Sequence, residues 1–185
     1  MYIDQQLGLI SEVEYHASPN QDERPDVEDI TGIVIHNISL PPGQFGGGWI
    51  DDLFLNKLDP QAHPYFEEIA DLKVSAHLLI RRNGEVIQYV PFHQRAWHAG
   101  MSCWDDRECC NDFTIGIELE GCDDNSFEEI QYTNLVMTVQ ALIKVYPKLS
   151  VNRVKGHSDI ASGRKTDPGP YFDWPYFKTA LAQEV

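Results

Sequence analysis

FTIGIELEG, from Phe113 to Gly121, and GIVIHN, from Gly32 to Asn37, are the two stretches that decide the fold. Short runs rich in β-branched and apolar residues are typical of strands buried in a sheet. Side chains alternate along a strand, so Glu118 and Glu120 share one face of the first stretch and apolar side chains share the other. Burying a carboxylate costs several kcal/mol unless it is paired or functional. The two glutamates therefore indicate either a functional face or a face exposed to solvent.

The segments around these strands predict a hairpin and several helices. Asn83 and Gly84 separate two apolar runs, His77 to Arg82 and Glu85 to Val90. Asn-Gly favours a tight hairpin, because both turn residues need positive φ. Helical patterns are predicted at Trp49 to Leu55, at Pro64 to Ala70, from a capping box of Ser126 and Glu129 to Pro147, and after Asp173.

The predicted order of elements is β-α-β-β-β-α-β-α, with a short strand at Val151 to Lys155 before the last helix. Hairpins combined with crossover helices imply a mixed central sheet flanked by helices, an α/β or mixed α+β fold. The polar stretch from Pro19 to Asp29 is expected to be a loop, and the glycine-rich stretch from Pro41 to Trp49 a mobile loop. The length fits one domain of residues 1–185, with its core at about residues 31–180 and residues 1–30 as an extension packed on or near it.

Charge and hydropathy exclude several classes of partner. The formal net charge of −15 argues against nucleic acid and against anionic membrane surfaces, which both need clustered lysine and arginine. An anionic small substrate would need a locally basic pocket. No run approaches the roughly 20 apolar residues of a membrane span, and the acidic N-terminus is unlike a secretory signal. We therefore expect a cytoplasmic protein. A monomer is the default expectation, which the sequence itself does not establish.

The four cysteines are Cys103, Cys109, Cys110 and Cys122, and none of them forms a CxxC pair. A zinc site of four thiolates is therefore a poor explanation. Free thiols are the expected state in a reducing cytosol, and a disulfide between Cys103 and Cys109 is the alternative in an oxidising medium.

Two histidines and an aspartate form a candidate metal site. A catalytic zinc ion takes three protein ligands and leaves a fourth position open. His36 ends the first strand, and His157 and Asp167 flank the late loop GHSDIASGRKTDPGP. Strand ends and loops at one sheet edge can converge in space. Structural histidines are the alternative explanation, because spacing alone is a weak signal.

Further candidates lie close to these residues. Lys165 is two residues before Asp167, so in an extended segment both side chains point the same way. A surface salt bridge would explain the pair equally well. In AWHAG, Trp97 and His98 lie beside small residues, which suits the wall of a binding pocket, although Trp97 could belong to the core.

Taken together, the ordered segments resemble the AmpD family of N-acetylmuramoyl-L-alanine amidases, within the wider fold of amidases and peptidoglycan-recognition proteins. The resemblance spans about Thr31 to Phe177, and its ordered set of motifs is far more specific than any one of them. The segments that carry it are HNISLPPGQFGG, DPQAHP, VSAHLLIRRNGEVIQYVPF, RAWHAG, CNDFTIGIELEG and GHSDIASGRKTDPGP.

The resemblance implies a role for each matching position. It places one zinc ion on His36, His157 and Asp167, the catalytic glutamate on Glu118 and the catalytic lysine on Lys165. The residues expected to contact substrate are Asn37, Lys73, Trp97, His98, Arg107 and Ala161.

Two positions depart from the family pattern. Lys73 and Cys109 stand where related enzymes use arginines to hold the substrate peptide. Lysine keeps the charge but loses the bidentate fork, whereas cysteine keeps neither. Arg107 could partly replace the missing arginine. These changes affect affinity and peptide preference rather than the reaction.

The implied activity is zinc-dependent hydrolysis of the amide bond between the lactyl group of (1,6-anhydro-)N-acetylmuramic acid and L-alanine in muropeptides. The implied setting is cytoplasmic cell-wall recycling, with an indirect influence on β-lactamase induction. Three alternatives remain at this stage: a binder of wall fragments that lacks activity, a lysin that acts on polymeric peptidoglycan, and a protein with a structural zinc ion.

Overall fold

The computed structural model describes residues 1–183, so residues 184 and 185 of the expected domain lie outside the described residues. The strands are β1 Ile3–Asp4, β2 Leu9–Ile10, β3 Glu14–Tyr15, β4 Gln21–Glu23, β5 Gly32–Ile38, β6 Leu78–Ile80, β7 Val86–Gln88, β8 Gln94–Ala96, β9 Cys103–Trp104, β10 Arg107–Glu108, β11 Thr114–Glu120 and β12 Val154–Gly156. The helices are α1 Trp49–Phe54, α2 Pro64–Ile69, α3 Glu129–Val145, α4 His157–Ile160 and α5 Trp174–Ala182, with a 3₁₀ turn at Cys110–Asp112.

A mixed sheet forms the centre of the fold, as predicted. Within the described chain its strand order is β12-β5-β11-β6-β7-β3. The strands β12, β5, β11 and β6 are parallel, and β7 pairs antiparallel with β6 through the Asn83-Gly84 turn. Gly84 has a φ of +88°, which explains why the turn needs glycine, but Asn83 does not have the positive φ that was expected of both turn residues. The two long strands, β5 and β11, are the two stretches that the sequence marks as decisive.

The two faces of the sheet have different surroundings. The apolar face packs against α3 and α5 and forms the largest core cluster. Ile117 and Leu119 are fully buried there, as strand alternation predicts. On the opposite face, near β9 and α4, Val34 packs in a smaller cluster with Trp104 and Ile160. The polar positions of β5 and β11 lie on this second face, which carries the site described below.

The N-terminal region contains strands that the sequence patterns do not predict. Glu14–Tyr15 pairs with β7 and extends the central sheet, and Gln21–Glu23 pairs with β8 inside the stretch expected to be a loop. Ile3 and Ile10 belong to the main core cluster. Strands of two or three residues leave no periodic pattern, and here tertiary pairing creates them.

Helix α3 begins differently from its prediction. It starts after Glu128, whose backbone N–H donates to Gln131 Oε1 at 3.0 Å, so these residues replace the expected pair Ser126 and Glu129. Gln131 is fully buried, and its Nε2 also donates to the carbonyls of Ile80 and Glu120. The start of the helix is therefore set by an anchor to the sheet rather than by the local Ser-x-x-Glu pattern. The helix ends at Val145, ahead of Pro147, as predicted.

The glycine-rich stretch before α1 is irregular, as expected. It is also attached to the sheet, because Gly46 N–H donates to Glu120 Oε1 at 2.6 Å and Arg81 donates to the carbonyl of Gly47 at 2.9 Å. Glu120 therefore fixes this loop. In the part of the chain that the structure describes, no helix is both long and apolar enough to cross a membrane.

Candidate metal centre and active site

The register of the parallel strands brings three of the predicted site residues to one level. His36 on β5 lies directly beside Glu118 on β11. Gly156 on β12 pairs with Ile35, and His157 follows it as the first residue of α4. The side chains therefore meet on the second face, near the carboxyl ends of adjacent parallel strands. Ligands commonly bind at this edge of a parallel sheet.

Asp167 completes a compact triangle with the two histidines. His36 Nδ1 lies 3.0 Å from His157 Nδ1 and 3.0 Å from Asp167 Oδ2, and His157 Nδ1 lies 3.0 Å from the same oxygen. Both imidazoles are buried and Asp167 is largely buried. The structure thus brings together the predicted metal ligands, although they come from distant parts of the chain.

One backbone carbonyl fixes which nitrogen of His157 carries the proton. Its Nε2 lies 3.0 Å from the carbonyl oxygen of Ala99, which can only accept a hydrogen bond, so Nε2 carries the hydrogen. The Nδ1 of a neutral ring is then a free lone pair that faces Asp167. Arg164 donates to the same carbonyl at 2.6 Å and to the carbonyl of Met101. The segment around Ala99 therefore holds His157 from outside the triangle.

The donor set fits a zinc ion. Ligands about 2.0–2.1 Å from a tetrahedral zinc lie about 3.3–3.4 Å from one another, close to the 3.0 Å sides of this triangle. Two imidazole nitrogens and one carboxylate oxygen leave a fourth position open, as in catalytic sites. Without a cation, lone pairs and a carboxylate converging at this distance would repel one another. The chemistry of the donors therefore matches the metal that the sequence predicts.

The ionisation of the triangle suits metal binding. Burial lowers the pKa of His36 to about 4, so the ring is neutral at physiological pH. A neutral imidazole and an ionised carboxylate are the forms in which these groups bind a metal.

Glu118 is poised next to the triangle. Burial raises its pKa well above the ordinary value, the nearby charge of Asp167 raises it further, and the charge of Lys165 lowers it. Glu118 Oε2 is buried and has no hydrogen-bond partner within residues 1–183. A partnerless carboxylate oxygen with a raised pKa is the kind of group that exchanges protons near neutral pH.

The loop that carries Lys165 and Asp167 is held by Asn37. The Asn37 Nδ2 group donates to Asp123 Oδ1 at 2.7 Å and to the carbonyl of Pro168 at 3.0 Å. Lys165 is exposed, and its charge acts on both His36 and Glu118. Asn37 is predicted to contact substrate, and in the structure its side-chain NH2 group positions the loop.

The other predicted substrate contacts have diverse surroundings. Ala161 follows α4 and lines a cavity of about 700 Å³ together with Cys109 and Arg164. Lys73 is exposed, and Trp97 is half-buried. The pKa of Asp22 is lowered mainly by a hydrogen bond from Arg95 and to a smaller extent by one from Trp97. In the described chain the four cysteines are free, and two of them, Cys103 and Cys109, are exposed beside this cavity.

Arg107 is engaged elsewhere in the fold. It pairs with Asp29, holding the pKa of that carboxyl below its usual range, and its guanidinium stacks 3.8 Å from the ring centre of Phe113. The sequence gives no indication of this pairing because Asp29 lies in the distant acidic stretch. A contact between Arg107 and substrate would require it to leave both partners.

His98 lies on the Nε2 side of His36, whereas Asp167 contacts the Nδ1 side. Its Nδ1 is 2.9 Å from His36 Nε2 and its Nε2 is 3.3 Å from Thr114 Oγ1, so both ring nitrogens are used inside the protein. His98 is nevertheless partly exposed, so its predicted contact with substrate stays a prediction. The sequence also did not indicate that Thr114 contacts His98, because a threonine is an ordinary residue in a strand.

Burial makes the zinc-free protein sensitive to acid. Burial lowers the pKa of His36 to about 4 and those of His77 and His98 well below 6.5. Below about pH 6.5 the unfolded chain protonates these rings and the folded protein does not, so their contribution to stability is lost as the pH falls. We expect the free energy of unfolding to fall between about pH 7 and pH 5, by up to about 1.4 kcal/mol per pH unit for each ring.

Glu118 has the opposite effect on the pH dependence of the unfolding free energy. Its raised pKa means that the folded protein holds a proton that the unfolded chain releases above about pH 4.5. One carboxyl opposes three imidazoles, so a net loss of stability remains. Urea unfolding of the chelator-treated protein at pH 7, 6 and 5 measures this net loss of stability. Equal unfolding free energies across this series would contradict the burial of neutral histidines.

Comparison with known proteins shows the family of the chain. The family model described as N-acetylmuramoyl-L-alanine amidase matches residues 26–170. The chain is 59% identical over 168 residues to the 1,6-anhydro-N-acetylmuramyl-L-alanine amidase AmpD of Escherichia coli K12, covering 91% of each chain. It is 51% identical over 178 residues to the protein of that name from Haemophilus influenzae, covering 96% of this chain and 97% of the other.

Among solved structures, the crystal structure of a selenomethionine AmpD derivative superposes with a TM-score of 0.94 at 54% identity, covering 98% of this chain and 99% of that one. This similarity confirms the predicted fold class. The match of the family model over most of the sequence, together with these relatives, settles the classification. The chain belongs to the N-acetylmuramoyl-L-alanine amidase family and, within it, to the AmpD type.

Proposed function

We propose that this protein is a zinc-dependent amidase that cleaves the amide bond between the lactyl group of 1,6-anhydro-N-acetylmuramic acid and L-alanine in muropeptides. The observation that carries the proposal is the 3.0 Å triangle of His36, His157 and Asp167 beside the partnerless oxygen of Glu118. Relatives that cover almost the whole chain are named for this substrate, which supports the choice among amidase substrates.

His36, His157 and Asp167 would hold the zinc ion, which when bound supplies Lewis-acid polarisation and makes water more acidic. Glu118 accepts the proton of the attacking water as its oxygen adds to the lactyl carbonyl carbon. The raised pKa of Glu118 helps the carboxyl to hold that proton until the leaving nitrogen of L-alanine takes it. The carbon–nitrogen bond breaks, giving a lactyl carboxylate and a peptide with a free amino terminus.

Lys165 supplies a positive charge at the stage when the carbonyl oxygen becomes negative. Its charge acts on both Glu118 and His36, which supports this role. One well-placed donor to an oxyanion contributes about 3–4 kcal/mol to transition-state stabilisation. We assign Lys165 to this role.

The stem peptide carries carboxylates, and we propose that the cavity beside Ala161 receives it. Arg164 lines this cavity and offers it a positive charge, while Glu108 and Asp159 add two acidic groups to the same lining. Cys109 forms part of the wall, at a position where the family resemblance implies an arginine. Exposed Lys73 adds a second positive charge, without the bidentate fork of an arginine. The contacts of Trp97 and Arg107 with substrate remain part of the proposal, and for Arg107 they require release from Asp29.

We further propose that the enzyme is a monomer that acts in the cytoplasm on fragments recovered during cell-wall recycling. Four free cysteines are consistent with a reducing compartment. In a host where such fragments induce a β-lactamase, loss of the enzyme would let them accumulate and raise induction.

Incubation of the zinc-loaded protein with anhydromuropeptide, followed by mass spectrometry, tests the activity. We expect the intact peptide and the anhydro amino sugar as products, with no reaction after chelation and recovery on adding zinc. Unchanged substrate that nevertheless binds the protein would favour a binder without activity. Parallel incubation with polymeric peptidoglycan tests whether the protein is a lysin. A lysin would release peptide from the polymer at a rate comparable to that with anhydromuropeptide.

A further inference from the structure

We infer that Thr114 and His98 form a hydrogen-bonded relay that sets the tautomer and orientation of His36. The inference rests on the proposed function in one respect, since it takes His36 Nδ1 to be a zinc ligand. Thr114 and His98 are positioning residues in this account, because they act through His36. The relay runs from the carbonyl of Cys110 through the Thr114 hydroxyl and the His98 ring to His36 Nε2.

The relay starts at a group that can only accept. Thr114 Oγ1 lies 2.6 Å from the carbonyl oxygen of Cys110, so the hydroxyl hydrogen must point to that carbonyl. Toward His98 the hydroxyl therefore presents a lone pair. Thr114 is fully buried, which leaves water no access to the hydroxyl as a competing partner.

The direction of the first bond fixes the next two. His98 Nε2, 3.3 Å from Thr114 Oγ1, donates to that lone pair. A neutral imidazole has one N–H, so His98 Nδ1 is an acceptor, and His36 Nε2 at 2.9 Å donates to it. His36 Nδ1 is then left as a lone pair facing His157 and Asp167. The hydroxyl of Thr114 thus determines that His36 Nδ1 carries a lone pair and can bind a metal.

The surroundings hold the relay in place. A Cβ atom on Gly116 would come within 2.4 Å of the His98 ring, so the absence of a side chain makes room for the ring over β11. Asn111 Oδ1 accepts hydrogen bonds from the backbone N–H groups of His98 and Ala99, at 3.1 and 2.8 Å. The carbonyl of Ala99 holds His157. The consecutive residues His98 and Ala99 therefore orient His36 and His157, respectively, through the ring nitrogens that do not face the triangle.

The relay makes an unusual demand on Thr114, because the hydroxyl matters and the methyl group does not. Thr114→Val keeps the shape and removes the hydroxyl, whereas Thr114→Ser keeps the hydroxyl and removes the methyl group. Thr138→Val is the matched control, since Thr138 is also fully buried and donates to a backbone carbonyl, that of Asn134, on the remote helix α3.

Zinc affinity by chelator competition is the first measurement. We expect the dissociation constant of Thr114→Val to rise about 10- to 100-fold, the range found for groups that orient a metal ligand. Thr114→Ser should stay within about threefold of the wild-type protein, and Thr138→Val should match it. Thermal unfolding of each variant reports its folding separately. An unchanged affinity in Thr114→Val, or an equal loss in Thr114→Ser, would overturn the relay.

Nitrogen-15 NMR of the histidine rings in the zinc-free protein is the second measurement. We expect Nε2–H on both His36 and His98 in the wild-type protein, and a shifted tautomer population of His36 in Thr114→Val. Wild-type rings with the hydrogen on Nδ1 would overturn the relay directly. If the wild-type protein bound no zinc, the proposed function would fail, while the ring tautomers would still decide whether the relay exists.

Discussion

Replacement of Glu118 by glutamine is expected to leave zinc bound and to lower kcat for anhydromuropeptide hydrolysis at least about 100-fold, the lower part of the range for general acid–base catalysis. Glutamine has nearly the same shape but its amide cannot take the proton from water at neutral pH. Because Glu118 Oε2 has no partner within the described chain, the change breaks no bond from that oxygen. The loss should therefore appear in turnover rather than in folding.

The same substitution at Glu129, in the first turn of α3, is the control. Its side chain lies at the surface, and we expect turnover close to that of the wild-type protein. Zinc content is measured on the same samples. A Glu118→Gln protein with normal zinc and kcat within about threefold of wild type would remove Glu118 from the reaction.

Replacement of Asp167 by asparagine should abolish stable zinc binding and, with it, activity. Asp167 contributes the negative charge of the triangle, and a neutral amide oxygen is a far weaker ligand. Removing a group behind a ligand already costs about 10- to 100-fold in affinity, so loss of a ligand itself should cost at least about 100-fold. The backbone bond from Ser158 N–H to the carbonyl of Asp167 is unaffected, so the loop should keep its course.

Asp105→Asn provides a matched change at an exposed carboxylate that pairs with Arg153. We expect full zinc occupancy in that variant and less than one-tenth occupancy in Asp167→Asn at about one equivalent of metal under chelator competition. Full occupancy in Asp167→Asn would mean that zinc is held by another set of ligands.

The sequence allows the centre of the fold to be predicted because its two long strands are unmistakable. Buried β-branched runs define β5 and β11, Asn83-Gly84 defines the hairpin, and Asp173 with a proline in the next turn defines the start of α5. The short strands near the N-terminus could not be predicted, since two or three residues carry no periodicity and form only through pairing with distant partners.

The grouping of the three candidate metal ligands could be predicted from the sequence, whereas the residues that surround them could not. His36, His157 and Asp167 follow from the family resemblance, and the structure brings them together. The segment AWHAG suggested a pocket wall, and the sequence did not indicate that the His98 ring also contacts His36. The role of Thr114 depends on a backbone carbonyl, and a sequence does not display where its carbonyls point.

Anomalous X-ray diffraction at the zinc edge, from crystals of the zinc-loaded protein, tests the central claim most directly. The account predicts one strong peak within about 2.0–2.2 Å of His36 Nδ1, His157 Nδ1 and an Asp167 oxygen, with Glu118 beside the open position. A zinc peak coordinated by other residues, or a triangle that stays empty in the zinc-loaded crystal, would contradict it.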